Sequence, residues 1–345
     1  MSAVRPLRIL SSPLRRCLLT NKVLPCEMMV RFELTRPPSP SPSSPSRLVL
    51  QPSRILHPRF EDRLSRQGST GKAMWVTCWA DAVAVLAQKG SYKRLSSSAV
   101  MLPPPAVTAH VHSLLARRVA HEAELVAERV KAWPAAWGAD DPRRAPVRCV
   151  RREELEEAVG ELGEAGRRVV GVLDLSPLSS STSGDADAAP RPFSSTLPST
   201  SSAPLARRYH LSTFLAGVVL PPSSLPPPPP PPDDPPDPAA HLLASTRHPL
   251  DTLLSLLSRR PTRLNPPSAP SPPSPPSSPP AAGNLFVLSA PGAAALEAGD
   301  EAAQRQAEDL VPLVLALERC RMWSGEGWAG DEEEGEEDEA RGPRA

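Results

Sequence analysis

The chain has 345 residues, 47 of them proline, with 40% apolar and 4% aromatic residues and a formal net charge of +1. No apolar run approaches the ~20 residues that span a bilayer, so a soluble or peripheral protein without a transmembrane segment is expected. Five scattered cysteines with no CxxC pair argue against a disulfide framework and a structural zinc site, and no metal or cofactor is expected.

Residues 1–26 precede the first acid, Glu27, and carry Arg5, Arg8, Arg15, Arg16 and Lys22. On a helical wheel Leu7, Leu10, Leu14 and Leu18 share a face opposite the arginines, although Pro13 interrupts it. An acid-free, Arg- and Ser-containing amphipathic start is the composition of a mitochondrial transit peptide. Residues 27–53 then hold a short strand, with Val30, Phe32 and Leu34 alternating against Arg31 and Glu33, followed by a Pro/Ser linker. A second apolar stretch within 47–56 is placed to pair with that strand as a hairpin.

Residues 54–328 are expected to form a single α/β or α+β domain with a small mixed sheet. Only ten of the 47 prolines lie in 54–175, 207–220, 239–260 and 284–328. Long disordered Pro/Ser loops are therefore expected at 176–206, 221–238 and 261–283, with an acidic disordered tail at 329–345. Trp75, Cys78, Trp79, Ala82 and Leu86 recur at helical spacing before Gly90; a strand through Trp79 followed by a helix competes. Beyond the break at 103–105, Val111, Leu115, Val119, Ala123, Val126 and Val130 trace one face of a helix of about six turns. Arg118 and Glu122, four apart, support it from its surface.

A strand at 147–150, a helix through Leu155, Ala158 and Leu162 closed by Gly166, and an apolar strand at 169–173 make a βαβ unit. Residues 285–288 form another buried strand. Asp309 is placed to cap a helix through Leu310, Leu313, Leu317 and Cys320, with Pro312 in its first turn. The segments around Phe214 and Leu253 add a further strand and helix.

Few motifs carry chemistry. Residues 68–72 end like a P-loop, but Arg66 replaces the first glycine and Ala73 the magnesium-holding hydroxyl, which leaves a surface turn with Lys72 as a phosphate contact. His110 and His112 point about 200° apart on a helix, so they cannot share an ion and are expected to be solvated. Asp174 ends an apolar strand, where open sheets place catalytic groups, and Ser289 follows a strand in the same way. Lys72, Lys93, Arg94, Arg143, Arg144, Arg151 and Arg152 are expected to contact phosphate or nucleic acid, with Tyr92 or a tryptophan for stacking. The seven prolines from Pro226 to Pro232 form a rod suited to a polyproline-binding module.

The leading expectation is a non-catalytic mitochondrial matrix protein that binds RNA or a ribonucleoprotein, in organelle gene expression or respiratory-complex assembly, and so supports respiratory growth. The first alternative is an α/β enzyme acting on a phosphorylated small molecule with its site near Asp174. The second is a proline-rich adaptor of the cytoplasm or nucleus.

Overall fold

The computed structural model describes residues 12–36, 47–59, 69–132, 145–176, 194–196, 207–216, 285–326 and 328. Strands β1 (Leu14–Arg16) and β2 (Val23–Pro25) form an antiparallel hairpin. The alternation around Phe32 becomes β3 (Met29–Thr35), antiparallel to β4 (Val49–Ser53) as expected and also to β5 (Ser69–Thr77). Val30, Phe32 and Leu34 are buried on one face, while Arg31 and Glu33 pair at 2.5 Å on the other. Residues 27–36 and 47–53 are therefore part of the fold, and the Pro/Ser stretch at 37–46 lies outside the described residues.

The N-terminal segment departs from the expected amphipathic helix. Leu14 lies in β1, and Cys17 is fully buried, its Sγ accepting from Thr77 N (3.4 Å) and Thr77 Oγ1 (3.1 Å). Leu18 N donates to the Trp75 carbonyl at 2.9 Å. A helix here would carry Pro13 in its interior, whereas the hairpin packs against β5 and buries its thiol. Residues 12–26 belong to the folded body, and the leader composition is left to residues 1–11, outside the described residues.

Residues 69–72 form the start of β5 instead of a surface turn, with Gly71 at φ +76°. Trp75 is in that strand, so helix α1 (Asp81–Lys89) starts late, and the strand-then-helix alternative is the one observed. Gly90, at φ +59°, ends it in the left-handed conformation that glycine adopts without strain. Strand β6 (Val100–Met101) lies parallel to β4, completing a sheet of order β5-β3-β4-β6. Helix α2 (Pro104–Ala132) begins on two prolines whose missing N–H groups would have no helical partner there. Its Glu122 is fully buried with Arg118 Nε at 2.6 Å, so this pair is internal and not on the surface.

The second sheet follows from β7 (Val147–Val150), α3 (Leu155–Glu164) and β8 (Arg167–Asp174). Strand β9 (Ser194–Thr196) falls inside the segment expected to be a disordered loop, and β10 (Arg207–His210) runs into helix α4 (Leu211–Ala216), which contains Phe214. The chain closes with β11 (Leu285–Pro291), α5 (Ala293–Glu297) and α6 (Glu301–Trp323). The order is β7-β11-β8-β10-β9: β11 is antiparallel to β7 and β8, and β10 is parallel to β8. The mixed sheet is present, with the βαβ unit split by β11. Leu253, the insertions at 221–238 and 261–283 and the acidic tail lie outside the described residues.

Helix α6 is capped by Asp300, whose carboxylate accepts from Ala302 N and Ala303 N at 2.9 and 3.2 Å. Asp309 and Pro312 are consequently interior. The polar opening turns hid the true start, and burial of Leu310, Leu313, Val314 and Leu317 offsets a proline cost of about 3 kcal/mol. Strand β11 is covered on both faces: Leu285 and Val287 meet α3, while Phe286 and Leu288 join the main core with α2 and α6. Among the described residues no helix is long and apolar enough to cross a membrane.

His112 is not solvated. Its ring stacks on Phe214 with centroids 3.6 Å apart, and burial pushes its pKa down to about 4. A histidine held neutral binds fewer protons folded than unfolded between pH 6.5 and 4, so stability falls as pH drops through that range. We expect about 2 kcal/mol of loss from this residue between pH 7 and 5, and His112→Phe to remove that share in urea titrations at both pH values.

Candidate functional site

Asp174 ends β8, where the parallel β8–β10 pair brings His210 alongside it in register. Its Oδ2 accepts from Arg208 Nη2 at 2.5 Å and lies 3.1 Å from His210 Nδ1, while Oδ1 accepts from Ser176 N at 2.9 Å. Since a carboxylate only accepts, the imidazole donates from Nδ1. Burial would raise the Asp174 pKa, but the hydrogen bonds from His210, Ser176 and Arg208 outweigh it and hold the group well below the usual carboxylate range.

A carboxylate-oriented imidazole is the arrangement of a general base. Here the carboxylate also carries a full ion pair, and the side chains of Asp174, Arg208 and His210 are only 5, 12 and 14% exposed. The cluster is better described as a polar cross-link between β8 and β10. Arg208 and His210 were missed in the sequence because they lie beyond a Pro/Ser segment and become neighbours only through strand pairing.

The structure does not bring Ser289 to Asp174. Leu285 pairs with Asp174 and Ser289 with Val169, which places the serine five residues down β8, about 16 Å away. Ser289 Oγ donates to the Ala145 carbonyl at 3.1 Å and accepts from Arg167 Nε at 3.0 Å, while Arg167 Nη1 donates to Gln306. The hydroxyl is thus engaged as donor and acceptor in a buried bracket. Gly292, three residues beyond Ser289, closely approaches Gly166: a Cβ there would meet the Gly166 carbonyl oxygen at 2.5 Å.

The basic residues fare differently. Lys72 Nζ donates to the Leu95 carbonyl at 3.5 Å, which sets it beside the turn of Lys93 and Arg94. Arg151 and Arg152 follow β7, an edge strand of the second sheet. All five are exposed, and their side chains form no ion pair with an acid among the described residues, although the Arg151 backbone N–H donates to Glu154 Oε2 at 3.3 Å. By contrast Arg31, Arg118, Arg148 and Arg208 pair with Glu33, Glu122, Glu161 and Asp174. Arg143 and Arg144 lie outside the described residues. Tyr92 packs on the core, so among the described residues the aromatic offered to a ligand is Trp79, 40% exposed before α1.

No group of three or more His, Cys, Asp or Glu side chains suited to a metal ion occurs among the described residues. Compared with known protein families, curated proteins and solved structures, the chain matches none of them.

Proposed function

We propose that this chain is a non-catalytic RNA- or ribonucleoprotein-binding protein of the mitochondrial matrix, acting in organelle gene expression or respiratory-complex assembly. One observation carries the binding role: the side chains of Lys72, Lys93, Arg94, Arg151 and Arg152 are exposed and form no ion pair with a described acid, while Arg31, Arg148 and Arg208 are paired. Unneutralised cations release counterions on meeting phosphate, and Trp79 adds a stacking surface. The non-catalytic part rests on Asp174 and Ser289, both held in buried polar brackets. The compartment rests on composition, with Arg5, Arg8, Leu7 and Leu10 in an acid-free segment. The proline run from Pro226 to Pro232, proposed as a docking site for a partner module, lies outside the described residues.

Replacing the five cations by glutamine is expected to weaken binding of a single-stranded RNA about a hundred-fold at 0.1 M salt, with the circular dichroism spectrum unchanged. Undiminished affinity in a folded variant overturns the surface.

A further inference from the structure

The strongest charge run in the chain is residues 331–339, eight acids in nine positions. It follows Trp328, whose indole N–H is shared between the Cys78 and Met322 carbonyls at 3.2 Å each, so the point where the run leaves the fold is fixed. The β1–β2 hairpin is anchored at the same end of β5. Thr77 N donates to Cys17 Sγ at 3.4 Å, Cys78 N to the Met28 carbonyl at 3.0 Å, and Cys17 N to the Lys22 carbonyl at 2.8 Å. Arg16 and Lys22 therefore flank a cysteine that touches Thr77, while Trp328 holds the next residue. Arg15, Arg16 and Lys22 are exposed, and their side chains form no ion pair with an acid among the described residues. Of the acids near this end, Glu27 pairs with Arg319 at 3.7 Å, Glu318 pairs with Arg321 at 2.9 Å, and Asp81 opens α1.

We propose that this acidic run docks on the β1–β2 hairpin of its own chain, against Arg15, Arg16 and Lys22, and screens those cations from other polyanions. The reach is sufficient. Asp331 lies three residues past Trp328 and Glu339 eleven, which is at most about 11 and about 40 Å of chain. The hairpin's anchor at Thr77 is one residue from the tryptophan's at Cys78, well inside that range. Charge drives the contact: eight like charges repel one another, and three uncompensated cations beside the exit point relieve that repulsion. Each surface pair is weak, but the tether makes the encounter intramolecular, so the pairs act as a group. A free polyanion has to displace the run, and the hairpin adds little to its binding while the acids are present. The contact does not depend on the RNA-binding role, whose five cations lie outside the hairpin.

The test uses the full chain and a water-soluble carbodiimide, which joins a lysine amine to a carboxylate as an amide with no spacer. Links to 331–339 are mapped by mass spectrometry in the monomer-sized product. Lys22 is expected to carry most of them, ahead of the exposed Lys72, Lys89, Lys93 and Lys131. They are expected at about 0.05 M sodium chloride and lost at about 1 M, where the screening length falls to about 3 Å. Arg15→Gln with Arg16→Gln, at exposed positions that keep the fold, lowers the Lys22 yield about three-fold. On heparin the same pair of changes leaves the wild-type elution nearly unmoved. It brings elution earlier once the eight acids are replaced by Asn and Gln. Links spread evenly over the five lysines, centred on another lysine, formed only between molecules, or absent from the folded protein overturn the docking. An equal shift on heparin with and without the acids overturns the screening.

Discussion

Asp174→Ala is expected to lower the unfolding free energy by about 3–5 kcal/mol. The substitution leaves Arg208 and His210, 12 and 14% exposed, facing a site without its carboxylate and removes the acceptor for Ser176 N. A buried cation stripped of its partner retains its desolvation cost, which makes the loss larger than the pair's net worth. Asp174→Asn keeps the volume and the Ser176 contact and should fall between wild type and alanine. Because the folded carboxyl is held well below the unfolded value, its contribution is full above about pH 4 and fades as pH falls below that. Urea midpoints of the three proteins at pH 7 check this. The enzyme alternative predicts the opposite: a catalytic carboxylate held at a cost in stability leaves the asparagine variant as stable as wild type or more so.

Removal of residues 1–26 is expected to cost at least about 3 kcal/mol, through the lost packing of Cys17, Leu18 and Leu19 and the hydrogen bonds to Thr77 and Trp75. Removal of residues 1–11 alone leaves every one of those contacts in place. If the address lies in 1–11, the shorter deletion abolishes organelle import while retaining the unfolding midpoint, and the longer one loses both. Import assays paired with thermal melts separate the two effects. Import that survives removal of 1–11 contradicts the mitochondrial assignment.

The parts of this fold that could be read from sequence are those where one periodicity dominates. Strand β3 alternates cleanly, α2 repeats an apolar face from Val111 to Val130, and β8 and β11 are apolar runs too short for helices. Elsewhere tertiary pairing decides. Strand β5 contains Gly71 and an exposed first half, so nothing local marks it; its edge is set by β3 and by Leu18. Strands β9 and β10 are three and four residues long and exist through pairing with one another and with β8. Helix α6 opens on polar turns, which moved its apparent start to Asp309.

The candidate site divides in the same way. Asp174 was visible as a strand end, whereas its partners Arg208 and His210 were separated from it by a proline-rich segment. Arg59 pairs with Glu128 of α2 only because β4 directs the chain across it. Ser289 was a reasonable nucleophile by position, but antiparallel pairing sends it to the other end of the sheet.

The most direct test of the proposed RNA contacts is the salt dependence of affinity for a single-stranded RNA. Wild type and the five-glutamine variant, at Lys72, Lys93, Arg94, Arg151 and Arg152, are titrated across sodium chloride concentrations at one pH. If all five cations meet phosphates, the slope of log affinity against log salt is shallower in the variant by about 3 to 4. Parallel slopes, with both proteins folded, would place the contacts elsewhere and contradict the account.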